Sequence, residues 1–137
     1  MGSRSKYPVI FIVDNDRAGR DVFKKADSIR GGKITGTEAF ARIFGNLYIV
    51  PIPLTSEKTD CSIEDLFSAA DLVGGFEGKP FNFSDEEVDR TTFADKACFA
   101  HDFVAKKAAE LDWKGFHTLL GNIDAAFKDY QRRLKEI

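Results

Sequence analysis

Long apolar runs are absent from this 137-residue chain. No stretch approaches the ~18 residues that a membrane span needs, and the opening "MGSRSKY" lacks the apolar core of a secretory leader. A spanning helix is therefore excluded, and a cytoplasmic protein is expected. Cysteine is scarce. Cys61 and Cys98 match no metal-ligand spacing, which argues against a zinc site or a disulfide framework and for reduced thiols. Histidine is scarce too: His101 and His117 fall in stretches that read as helical, and no Ser/His/Asp or Cys/His arrangement follows from their spacing. No GxxxxGK[ST] occurs, so a P-loop is excluded, and "GGFEG" at Gly74–Gly78 reads as a turn. Internal repeats and low-complexity tracts are missing as well.

What is present is a hydrophobic content of 43% with a net charge of −2, the balance of one soluble globular domain able to bury a core. The small net charge hides an asymmetry. Met1 to Lys33 carries eight Lys/Arg against four Asp, whereas Glu57 to Asp95 carries eleven acids against three bases. Such opposite lobes suit a site where cations hold a polyanion and carboxylates hold a metal, although ordinary solvated surface reads the same way.

Val9 to Val13 is an unbroken apolar run between Pro8 and Asp14, the pattern of a central parallel strand covered on both faces. "RAGRDVFKKADSI" then sets Val22, Phe23, Ala26 and Ile29 at helical spacing, with Gly31 and Gly32 as the stop. "GTEAFARIF" reads as a short helix capped by Thr37, with Ala39, Phe40, Ile43 and Phe44 on its apolar face. Leu47 to Ile52 reads as a second apolar strand that ends at Pro51 to Pro53. Strand, crossover and strand make a βαβ unit. Further on, Ser62 and Asp65 have capping-box spacing ahead of a helix, "GGFEGKPFNF" suggests a small hairpin, and Thr92 caps a helical segment containing Phe93, Ala97, Ala100 and Val104. A last helix packs Leu119, Leu120, Ile123, Phe127, Tyr130 and Leu134.

Chemistry concentrates where the first strand ends. Ligands of open α/β sheets bind beyond the carboxyl ends of the strands, and Asp14 and Asp16 stand there. If the chain stays extended through Asn15, both carboxylates leave on the same side and can share one hydrated Mg²⁺. Such an ion holds a phosphate and activates a water, so the pair points to phosphoryl-transfer or phosphodiester chemistry. The competing reading is helix capping, for which Asp is favoured. Gly19 permits either close helix-on-strand packing or approach of a phosphate to the helix N-terminus. Glu64, in the first turn after Ser62, follows the second parallel strand and is the third candidate, with Asp60 and Asp65 as rivals. Arg17, Arg20 and Lys58 are the cations placed to contact a nucleic-acid backbone.

"VIFIVDNDRAG" at 9–19, "NLYIVPIP" at 46–53, "SIEDLF" at 62–67, "GKPFN" at 78–82 and "WKGFHTLL" at 113–120, in that order, resemble the second half of a TOPRIM domain. The nearest likeness is to the TOPRIM extension of retron-type reverse transcriptases. The resemblance implies a Mg²⁺- or Mn²⁺-dependent nucleic-acid-processing module, a nuclease, in which Asp14, Asp16 and Glu64 hold metal and act in catalysis. Glu64 fits the family's SxE motif as the third residue of Ser62-Ile63-Glu64. A complete TOPRIM domain also begins with a strand ending in a glutamate, and nothing before Tyr7 supplies it. The expectation is therefore a piece that is inactive alone and relies on an upstream reverse transcriptase and N-terminal TOPRIM half.

The expected fold class is α/β: a partial TOPRIM- or Rossmann-like short parallel sheet with flanking helices and a helical C-terminal region. Residues 1–7 read as a cloning remnant or flexible lead, 8–72 as the α/β core and 73–137 as a helical extension of the same domain. Expected partners are DNA or RNA, the upstream half, and, through an apolar strand edge, a second copy of the chain. No membrane is involved. Two rivals stand beside this reading. One is a non-catalytic assembly module in which the Asp-Asn-Asp turn only caps a helix. The other is a phosphotransferase of the haloacid-dehalogenase kind, which continues with Gly-Thr where this chain has Arg17-Ala18.

Overall fold

Five successive β-formers, Val9–Val13, make the first strand, β1, of a computed structural model that describes residues 5–55, 57–84 and 86–136. Helix α1, Arg17–Arg30, follows at once, capped at its start by Asp16 and ended by Gly31. Then come β2, Ala41–Phe44, and β3, Leu47–Pro51. The sheet order is β1-β3-β2, with β1 parallel and β2 antiparallel to β3. The β1–α1–β3 crossover matches the expected βαβ unit. The described residues form two compact units, one within 1–63 and 116–137 and the other within 64–115.

Two expectations need correction in the first unit. β1 is an edge strand, not a central one, and Val9, Phe11 and Ile12 remain 46, 53 and 47% exposed. The central, buried strand is β3, where Tyr48 and Val50 lose all solvent contact. Pro51 falls beyond the last β2 pair, Ala41–Ile49, where no N–H donor is required. The second correction concerns the helix capped by Thr37. Glu38 instead folds back to accept from the amides of Thr35 and Gly36 at 2.9 Å, and Ala41–Phe44 runs as a strand into the Gly45-Asn46 turn. Burial works to raise the Glu38 pKa, but those amides and the Thr35 hydroxyl outweigh it and hold the carboxyl below its ordinary value.

Helix α1 buries Phe23 and Ala26 in one cluster with Ala41, Ile43 and Ile49, and seats Gly19 against the end of β1. Val22 and Ile29, expected on that face, are 41 and 66% exposed, because three strands offer the helix only a narrow floor. The other sheet face is closed by the C-terminal helix His117–Lys135, which packs Tyr130 edge-on to Tyr48 with ring centroids 6.2 Å apart. Leu119, Ala126 and Tyr130 are its buried residues, whereas Leu120, expected inside, is exposed. The Tyr48 hydroxyl donates to Asp129 at 2.7 Å, and Arg132 and Arg133 complete that network.

The second unit is built around aromatic rings. Phe67, Phe81, Phe83, Phe99, Phe103 and Trp113 contact one another with centroids 4.9 to 5.8 Å apart. Ser62 and Asp65 do not open a regular helix; Ile63–Leu66 is a 3-10 turn, and helix α2, Ala69–Leu72, has Ser68 as its cap. Phe76 and Lys79 form the expected small hairpin bridge. Helix α3 spans residues 96–107 and carries a π-helical stretch, Phe99–Val104, between two short α-helical pieces. Its cap is Asp95, whose side chain accepts from the Cys98 amide at 2.8 Å; Thr92 instead turns back to Asp89.

Candidate functional site

The acidic turn is built around its middle residue. Asn15 is 2% exposed, and its amide donates to the carbonyls of Gly36 at 2.8 Å and Ile52 at 3.1 Å. Its backbone pairs in both directions with Cys61, at 2.7 and 2.9 Å. One side chain and one bridge thus tie the end of β1 to three other segments. Gly36 is needed for this, because a Cβ there would lie 2.7 Å from the Asn15 amide oxygen and the backbone φ is +90°.

With Asn15 extended and turned into the core, chain alternation sends Asp14 and Asp16 to the opposite side. Both are half-buried at the C-terminal end of β1. Each carboxylate has an architectural role. Asp16 Oδ1 accepts from the Gly19 amide at 2.8 Å as the N-cap of α1, and Asp14 Oδ1 accepts from the Ile63 amide at 3.0 Å.

Gly19 has a steric reason. A Cβ there would come within 1.7 Å of the Asp14 carbonyl oxygen, so its small size seats α1 on the turn. With its amide already given to Asp16, the packing reading of Gly19 is favoured over phosphate approach. Asp60, a rival acid, pairs with Arg20 at 2.7 Å. The hydrogen bond to Asp60 is the main cause that raises the Arg20 pKa; burial opposes it, and the charges of Asp60, Asp16 and Asp21 add to it. A guanidinium beside Asp16 offsets part of the negative charge that a metal cation would use. Arg17 and Lys58 are exposed, on the first turn of α1 and in the loop after β3. Glu64 lies in the second unit, half-buried on the 3-10 turn.

Whether the donors suit Mg²⁺ depends on how many ligands are asked for. Mg²⁺ accepts one or two carboxylates and keeps several waters, and carboxylates that ligate it are commonly oriented by hydrogen bonds of their own. Two aspartates, each steadied through one oxygen by a backbone amide, fit that mode. A protein cage does not fit: among the described residues no group of three His, Cys, Asp or Glu side chains is arranged to hold a metal. Both cysteines are free thiols, and Cys61 is buried.

Among the described residues no helix is long and apolar enough to cross a membrane. No protein-family model and no solved structure matches the chain.

Proposed function

We propose that the chain is a TOPRIM-like module of a retron-type reverse transcriptase that acts on nucleic acid with Mg²⁺ or Mn²⁺, as a nuclease. The observation that supports this reading is the pair Asp14 and Asp16 flanking the buried Asn15 in the turn that ends a strand of a parallel pair. A hydrated ion held there would neutralise a phosphate and lower the pKa of a bound water. The chain's own contribution is to fix the two carboxylates through the Ile63 and Gly19 amides, and to offer Arg17, Lys58 and the Asp60-paired Arg20 as cations for a backbone. Glu64 enters as a third acidic group through the resemblance alone.

A second reading has a specific observation behind it. The bonds from the Gly19 and Ile63 amides account for both aspartates without any ion, as a non-catalytic assembly module requires. Calorimetric titration of Mg²⁺ and Mn²⁺ into wild type, Asp14→Asn and Asp16→Asn separates the two. Asparagine retains an acceptor for the cap, so binding in wild type that is lost in both variants, with folding intact, supports the metal reading. Equal, negligible binding in all three leaves the assembly module. Glu64→Gln in the same titration tests the third acid, and turnover of small phosphoesters would revive the phosphotransferase reading.

A further inference from the structure

A strand whose two faces and outer edge all meet solvent is the least finished part of the first unit. β1 pairs on one side only, and its side chains on both faces are exposed: Phe11 on the α1 face and Ile12 on the other, each about half. The ladder to β3 uses the Val9 N–H, given to the Asn46 carbonyl, and the Val13 carbonyl, which accepts from the Ile52 N–H. Alternation then directs the N–H and C=O of Ile10 and Ile12 outward. Among the described residues no strand takes them up. Such an edge invites another strand.

We propose that this edge is the docking site of a second copy of the chain, which adds its own β1 antiparallel so that Phe11 meets Phe11 across a two-fold axis. Three features select that occupant and register. First, pairing residues 9 with 13, 10 with 12 and 11 with 11 is the antiparallel register that uses the whole of Val9–Val13. In it Ile10 and Ile12 of the two copies exchange all their outward N–H and C=O groups, and Pro8, which has no donor, lies just outside. Second, every cross-strand pair is apolar on both faces, with the two phenylalanines at the close, non-hydrogen-bonded position. Third, the flanks are complementary. Lys6 precedes the strand and Asp14 and Asp16 follow it, so the antiparallel arrangement sets the basic lead of one copy beside the acidic end of the other. A parallel arrangement would set acid beside acid. The closed two-fold contact joins two three-stranded sheets into one and removes both β1 edges, leaving β2 at either end. This inference does not depend on any nucleic-acid activity.

Sedimentation equilibrium of the full chain tests it, together with two kinds of variant. Wild type is expected at twice the monomer mass. Ile12→Pro deletes one outward donor while leaving the β1–β3 ladder intact, and it should sediment as a monomer with an unchanged far-ultraviolet circular dichroism spectrum. In a Cys98→Ser background, Phe11→Cys should give a disulfide-linked dimer on mild oxidation, because facing non-hydrogen-bonded residues have α-carbons about 4.5 Å apart, within disulfide reach. Val9→Cys, whose neighbour across the axis is Val13, should give none. If Ile12→Pro fails to fold, the cysteine pair decides. Wild type monomeric at every concentration, a dimer that persists in Ile12→Pro, or cross-linking at Val9 rather than Phe11 would each overturn the proposal.

Discussion

Asn15→Asp changes one nitrogen to an oxygen, and the structure gives it a large, pH-dependent cost. The wild-type amide donates to the Gly36 and Ile52 carbonyls at 2.8 and 3.1 Å from a site that is 2% exposed. An ionised carboxylate there faces two acceptors with nothing to give. Two hydrogen bonds are worth about 1 kcal/mol each, and an ionised group left buried without a partner brings the total to roughly 3–5 kcal/mol. Against a domain stability of about 5–15 kcal/mol, that is a large fraction. Asn15→Ala loses the same two bonds and leaves a small void, about 2–3 kcal/mol, without the charge. The sign with pH separates the two variants. The folded state favours the protonated form of the introduced carboxyl, so its pKa rises above the unfolded value of about 4. Stability relative to wild type is then highest below about pH 4 and falls as pH climbs through the folded-state pKa. Urea unfolding of wild type and both variants at pH 4 and pH 7 provides the measurement. An Asn15→Asp penalty at pH 7 under about 1 kcal/mol, or one that does not shrink toward pH 4, would refute the assignment of Asn15 as the clamp of the turn.

Other residues give shorter tests. Gly19→Ala must push α1 off the Asp14 carbonyl and should destabilise by about 1–3 kcal/mol in thermal unfolding, despite the better helix propensity of alanine. Asp16→Ala should cost about 1 kcal/mol through the lost cap, with Asp16→Asn close to wild type; equal losses in denaturant melts would remove the capping role. The Tyr48 phenol is pushed up to about 12, chiefly by burial and then by its bond to Asp129. Because the folded value exceeds the unfolded one near 10, this group's stabilisation is complete below pH 10 and is lost as pH rises toward 12; ultraviolet titration should show a late step for Tyr48, which Tyr48→Phe should abolish. Tyr48→Phe should also lower stability by about 1.5–3 kcal/mol, the range for a hydrogen bond to a charged partner.

The β1–α1–β3 unit was legible because each signal was local: an unbroken apolar run rich in β-branched residues, an aspartate at the cap and glycines at the stop. β2 was not, since Ala39, Phe40, Ile43 and Phe44 satisfy helical spacing as well as they satisfy a short strand. The deciding cue was the Gly45-Asn46 dipeptide between two apolar runs, a tight-turn signature. Placing β1 in the centre failed for a different reason. Periodicity tells which side chains could be covered but not whether a neighbour is there to cover them. At the site, alternation alone located Asp14 opposite Asn15. The amide that meets Asp14 comes from Ile63, 49 residues away, and the partners of the Asn15 side chain are 21 and 37 residues away, distances over which no local pattern carries information. Arg20 and Asp60 met in the same way, 40 residues apart.

The bond between Tyr48 and Asp129 joins residues 81 positions apart, so the face of β3 that carries Tyr48 is closed by a helix synthesised well after it. At synthesis rates of about 5–20 residues per second, the nascent sheet spends several seconds with that aromatic face bare. During that interval the chain depends on slow elongation and on whatever shields it, and a truncation ahead of Tyr130 would extend the same vulnerability indefinitely.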